Sequence, residues 1–295
     1  MQKYIDVYSY AYGNAAHNTG CADGASVLKK ALQASHPHFH WHPPLRTSNQ
    51  TQQRDALPDV AKLCETLSHD IKKSILNNRF FITVGGDHSC AIGSWSGALN
   101  TVKGDLGLIW FDAHMDSHTF ATTLSNNIHG MPLAVLLGQG DPTLTALSSK
   151  KLNPENVVLI GIRSYENGEQ QLLEKLGVTI FYMDDIKKLG MRTVINSAIE
   201  RVTKNTTHFG ISIDLDGFDP LDAPGVGTRE KNGVSAKDFL AQFEKIVENP
   251  KLIGMDIAEF NPSLDKNHQT EKLAVLLCEQ AGNVCELTPA SDATD

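Results

Sequence analysis

Seven short runs rich in β-branched and aromatic residues recur along the chain, at 3–9, 80–84, 106–111, 157–162, 178–182, 208–213 and 251–257. Between them the apolar residues fall at helical spacing. Leu57, Val60, Leu63, Cys64, Leu67 and Ile71 mark one such segment, and Phe239, Phe243, Ile246 and Val247 another. Parallel strands need long crossovers, so strand-helix alternation on this scale predicts an α/β fold: a mostly parallel sheet with helices on both faces. No internal repeat and no Gly/Ser linker divides the 295 residues. One domain over 1–282 is therefore expected, followed by a loosely ordered tail at 283–295.

Composition narrows the function classes. Asp and Glu number 34 against 26 Lys and Arg, a formal charge of −8, which argues against a protein held on nucleic acid or anionic lipid by a basic surface. Five widely spaced cysteines without a CxxC pair fit reduced thiols better than a disulfide framework. No stretch reaches the roughly 18 consecutive apolar residues of a membrane span. The expected setting is the cytoplasm.

In an open parallel sheet the ligand crevice lies beyond the carboxyl ends of the strands, so the residues just after each apolar run carry the chemistry. Three of these places are unusually polar. Val84-Gly85-Gly86-Asp87-His88-Ser89 puts a histidine there, a weak signal alone because Gly-Gly before a helix is usually a tight turn. Phe111-Asp112-Ala113-His114-Met115-Asp116 puts three polar residues at period two, which in an extended backbone share one face. Two carboxylates and an imidazole at the end of an apolar strand repel or go unsatisfied unless a cation sits among them. Asp214 and Asp216 repeat the logic after the apolar approach of Phe209, Ile211 and Ile213.

Two histidines and four aspartates suit two ions sharing bridging carboxylates. Oxygen donors outnumber nitrogens and no thiolate is present, which favours Mn²⁺ over structural Zn²⁺. The chemistry implied is metal-assisted hydrolysis.

The sequence resembles the ureohydrolase family, the arginases and agmatinases. The resemblance rests on Gly85-Gly86-Asp87-His88-Ser89, Asp112-Ala113-His114-Met115-Asp116, Ser125-Asn126-Asn127-Ile128-His129-Gly130, Ser212-Ile213-Asp214-Leu215-Asp216-Gly217-Phe218-Asp219-Pro220 and Asp256-Ile257-Ala258-Glu259-Phe260-Asn261-Pro262, in the family's order. It implies an arginase-like three-layer fold, two Mn²⁺ ions per chain, hydrolysis of a guanidino C–N bond with release of urea, and a homo-oligomer, trimer or hexamer. By position it assigns His88, Asp112, Asp116 and Asp214 to one ion and His114, Asp112, Asp214 and Asp216 to the other. Glu259 takes the place of the carboxylate that faces the guanidinium. His129 takes that of the proton-shuttle histidine, and Asp116 receives a proton during attack.

Substrate recognition falls, by the same resemblance, to Thr123, Ser125 and Asn127 for an amino acid's carboxylate and amine, and to Glu166 and Glu169 for its α-ammonium. His118 stands where arginases usually carry an asparagine, and Glu166 where a shorter Asp is usual. Arg229-Glu230-Lys231-Asn232 replaces a Pro- and Gly-rich continuation. These departures bear on substrate choice more than on metal chemistry. Arginine is the expected substrate, with agmatine or another guanidino acid as alternatives and a non-catalytic metal-binding regulator as a different class. Retention of all six ligands with His129 and Glu259 speaks against the regulator.

Four of the 12 histidines crowd into His36-Pro37-His38-Phe39-His40-Trp41-His42. Period-two histidines can chelate a transition metal. The flanking prolines and aromatics favour an extended, partly packed loop with a structural role, and no carboxylate accompanies them in sequence.

Overall fold

The computed structural model describes residues 5–16, 19–33 and 36–287, with the side chains of 284–287 left aside. Eight strands form one sheet: β1 (Ile5–Tyr10), β2 (Phe39–Trp41), β3 (Phe80–Gly85), β4 (Leu106–Phe111), β5 (Val157–Ile162), β6 (Thr179–Tyr182), β7 (His208–Asp214) and β8 (Leu252–Ala258). Their order is β2-β1-β3-β8-β7-β4-β5-β6, and every neighbouring pair is parallel. The helices are α1 (Gly24–Leu32), α2 (Leu57–Leu76), α3 (Cys90–Leu99), α4 (Pro132–Leu136), α5 (Pro142–Thr145), α6 (Asn167–Leu176), α7 (Met183–Leu189), α8 (Met191–Lys204), α9 (Ala236–Val247) and α10 (Gln269–Leu287).

Two apolar layers sandwich the sheet. Residues of α1, α7, α8, α9 and α10 pack with Ile109, Phe111, Ile211 and Ile213 on one face. Those of α2, α3, α4 and α6 pack with Phe81, Leu108, Trp110 and Leu159 on the other. Alternate residues of β4 therefore feed opposite layers, as a strand buried on both sides must. The helices start where local chemistry favours it: α2 carries Pro58 and Asp59 in its first turn, and Ser235 caps α9 by accepting from the Asp238 N–H.

All seven expected strands are present. The histidine-rich segment departs from its reading as a loop, because Phe39–Trp41 form the edge strand β2 beside β1. Three residues with histidines at alternate positions carry too little apolar signal to be read as a strand. The expected tail boundary at 283 falls inside α10, and 288–295 lie outside the described residues. No described helix is long and apolar enough to cross a membrane.

Candidate active site

Five adjacent strands, β3, β8, β7, β4 and β5, deliver side chains to one crevice at their carboxyl ends. His88 follows β3, Asp112 to Asp116 follow β4, Glu166 and Glu169 follow β5, Asp214 ends β7, and Glu259 follows β8. Gly86 lets the first loop enter. A Cβ there would lie 1.8 Å from the Tyr12 carbonyl oxygen, which accepts a hydrogen bond from the Asp87 N–H at 2.8 Å.

The residues chosen from sequence converge, by a different route from the one the spacing suggested. β4 ends at Phe111, and 112–116 is not a strand continuation. Asp112 Oδ1 accepts from the His114 N–H at 2.7 Å, which turns the chain, and Asp116 adopts the left-handed φ of +43°. After β7 the Leu215–Gly217 turn does the same work, with Asp214 Oδ1 accepting from the Asp216 N–H at 2.8 Å. Glu259 has a φ of +67°. Such conformations in non-glycine residues cost of order 1–3 kcal/mol each and persist where the surroundings over-determine them.

Two clusters result. His88 Nδ1 lies 2.9 Å from Asp116, 3.2 Å from Asp214 and 3.3 Å from Asp112 Oδ2. His114 Nδ1 lies 3.1 Å from Asp216 and 3.5 Å from Asp112 Oδ1. Asp112 thus turns one oxygen to each cluster. His88 Nδ1 is buried without a well-formed hydrogen bond although three carboxylates surround it. Donors ranged around a shared point, rather than paired, are what a cation requires.

The protonation balance says the same. Burial opposes charge on His88, yet Asp112, Asp116 and Asp214 hold its imidazole well above the usual range. Burial, together with repulsion from Asp216 and Asp112, pushes Asp214 well above the carboxylate range. Burial likewise raises Asp216 to about 6. Asp112 goes the other way, because His114 and His88 outweigh its burial. Burial and mutual repulsion among these carboxylates would be relieved by divalent cations, and the donor set fits such ions.

Groups behind these side chains fix their orientation. His88 Nε2 is 2.9 Å from Ser212 Oγ, which donates to Asp256 Oδ1 at 2.6 Å, and all three residues are fully buried. Trp110 stacks on the His88 ring and donates its Nε1–H to Asp112 at 2.9 Å. The Arg163 guanidinium donates to the carbonyls of Gly161, Asp216, Gly217, Phe218 and Glu230, tying the turn after β7 to the strand end of β5. The roles of Ser212, Asp256, Trp110 and Arg163 went unread in the sequence. Ser212 and Asp256 lie within the motifs but meet only because β7 and β8 pair in register, whereas Trp110 and Arg163 act through tertiary contacts with His88 and with the turn after β7.

Beside the clusters, in the same cavity, His129 Nδ1 sits 3.0 Å from Glu259 Oε1, which also accepts the His88 backbone N–H at 3.0 Å. Burial disfavours charge on His129, but Glu259, Asp116 and Asp87 raise its pKa to about 9. A cavity of about 300 Å³ opens here, lined among others by His114, Asp116, Ser125, Asn127, His129, Glu166, Glu169 and Glu259. Thr228, Ser164 and Tyr165 also line it and were not anticipated. Thr123 does not reach the cavity wall; its hydroxyl accepts from the Asn126 N–H and lies 3.4 Å from Ser125 Oγ.

The far wall is occupied by its own contacts. His118 Nε2 touches Glu166 and lies 3.3 Å from Glu169. Glu166 and Glu169 also form the capping box that starts α6, and Glu169 accepts from the Ser117 N–H. Burial, partly offset by His118, pushes the Glu169 carboxyl up to about 7. In the segment 229–232, Glu230 accepts from Ser164 Oγ at 3.1 Å and lies 3.9 Å from His114 Nε2.

The model of the arginase family matches residues 5–282. The chain belongs to the arginase family. It is 41% identical over 230 residues to an arginase of Brevibacillus brevis, covering 77% of each chain. It is 40% identical to an arginase of Bacillus caldovelox over 75% of this chain and 74% of that one. The crystal structure of arginase from Bacillus subtilis superposes with a TM-score of 0.88 at 34% identity, covering 95% of this chain and 98% of the other. Arginase-family membership and the three-layer α/β architecture therefore agree.

Proposed function

We propose that this arginase-family chain is an arginase that hydrolyses L-arginine to L-ornithine and urea at a binuclear Mn²⁺ centre. The observation that carries the reading is the position of Asp112 between two imidazole-carboxylate clusters, with the His129–Glu259 pair lining the same cavity. The arginase names of the relatives at about 40% identity support the substrate. His88, Asp112, Asp116 and Asp214 would hold one ion, and His114, Asp112, Asp214 and Asp216 the other. When bound, two such ions supply Lewis acidity that lowers the pKa of solvent toward neutrality.

The chain's own residues do the rest. Glu259 faces the crevice from the end of β8, where its carboxylate would pair with the guanidinium and hold its carbon against the floor. Asp116 accepts the proton that the attacking water loses. His129, whose pKa is raised by Glu259, Asp116 and Asp87 against its burial, lies where it would protonate the departing amine, which leaves only as a neutral species. Ser125 and Asn127 on one wall, with Thr123 behind them, and His118, Glu166 and Glu169 on the other, would receive the amino-acid end. A cytoplasmic homo-oligomer, trimer or hexamer, belongs to the same reading, and light scattering on purified protein tests the assembly.

Urea release by Mn²⁺-loaded protein from arginine, agmatine and a set of guanidino acids tests the substrate. Arginine is expected to give the highest kcat/KM. Preference for agmatine would overturn the substrate, and no urea from any of them would overturn the enzymatic reading.

A further inference from the structure

The histidine-rich segment holds an arrangement that the reaction does not use. Asp6 of β1 pairs in register with His40 of β2, and paired residues of parallel strands face the same side of the sheet. His42, two residues on, faces that side as well. One ligand atom from each of the three lies within 4.8 Å of the others. His42 Nε2 is 3.0 Å from Asp6 Oδ1, its ring stacks on Tyr8 at 4.4 Å, and it meets His40 edge-on at 4.7 Å. Asp6 is buried and braced from behind by the Ser74 hydroxyl, which donates to Oδ2 at 2.7 Å. His40 is exposed. The carboxylate that the histidines lack in sequence is thus supplied by the neighbouring strand.

We propose that Asp6, His40 and His42 form a metal site separate from the active site, for a borderline-soft divalent ion such as Zn²⁺. Two imidazoles and one carboxylate suit such an ion better than Mg²⁺ or Ca²⁺. A tetrahedral ion with bonds near 2.1 Å needs donors about 3.4 Å apart, a change that rotation of the exposed His40 supplies. Solvent would fill the fourth position. Arg79 is the competitor, with its guanidinium 3.3 Å from the same Asp6 oxygen. Its side chain is 42% exposed, so it can swing into water when an ion arrives. The consequence is mechanical: β2 is an edge strand joined to β1 by three residue pairs, and an ion bound to both strands would staple that edge.

The test counts total metal, Mn²⁺ plus Zn²⁺, on Mn²⁺-saturated protein dialysed against micromolar Zn²⁺, so that exchange within the active site cancels. The intact chain is expected to hold one ion more than the His40→Ala/His42→Ala variant, with equal urea release from both before Zn²⁺ is added. Arg79→Gln should tighten Zn²⁺ binding several-fold. His40→Ala alone, a change at an exposed residue, guards against misfolding of the double variant and should weaken Zn²⁺ binding by about tenfold or more. Equal metal counts in the intact chain and the double variant would show adventitious binding only and overturn the site, as would unchanged affinity in His40→Ala.

Discussion

The floor of the crevice and its rim are built on opposite principles. On the floor, Asp112, His88 and Ser212 are fully buried, and each polar atom answers to several neighbours: His88 to three carboxylates and a hydroxyl, Asp112 to two imidazoles and an indole. On the rim, Ser125 and Asn126 are exposed and Thr123 is half-buried, and these three bond mainly to one another and to Asn127. The far wall lies between these extremes, with His118 engaged by Glu166 and Glu169. A network in which every member constrains the rest tolerates few substitutions. A loop held largely by its own hydrogen bonds, with the Gln53 amide donating to the Ser125 carbonyl, can change its contacts without disturbing the floor; the departures at His118 and Glu166 fall on the intermediate far wall.

Variants that separate the two regions should differ in what they lose. His129→Ala, at the junction, should lower kcat by about 10²- to 10⁴-fold while Mn²⁺ content stays unchanged, as measured by steady-state kinetics and elemental analysis. Ser212→Ala breaks the floor from behind by removing the hydroxyl between His88 and Asp256. It should weaken Mn²⁺ binding by about 10- to 100-fold in a calorimetric titration, and activity should return at high Mn²⁺. Ser125→Ala on the rim should raise KM for arginine about tenfold or less with little change in kcat, the pattern expected when a single exposed hydrogen bond is lost.

The smallest effect is one of stability in the metal-free protein. The His129 pKa is raised to about 9, so its ion pair with Glu259 stabilises the fold fully below about 6.5 and is lost as pH rises through about 9. Urea denaturation of metal-free protein should therefore show the intact chain exceeding His129→Gln at pH 6, with the difference shrinking by pH 10. A constant difference across that range would separate His129 from the titration.

Much of the floor was legible in the sequence because buried strands are apolar and anything polar at their ends stands out. Asp112, His114, Asp116, Asp214 and Asp216 were found on that ground. Period two in an extended backbone does not align them; the turn at His114 with the left-handed Asp116 does. The supports were not legible, since the Ser212–Asp256 contact exists only because β7 and β8 pair in that register. β2 was missed for a related reason. Its place in the sheet comes from β1, and so does Asp6, the carboxylate that gives its histidines a partner.

The central claim is that Asp112 stands between two ions. Anomalous diffraction at the manganese edge from crystals equilibrated with Mn²⁺ reads it directly. The account predicts two peaks about 3.5–4 Å apart, one beside His88 and one beside His114, with both absent in Asp112→Ala. A single peak in the intact protein, or a strongest peak among His118, Glu166 and Glu169, would contradict it.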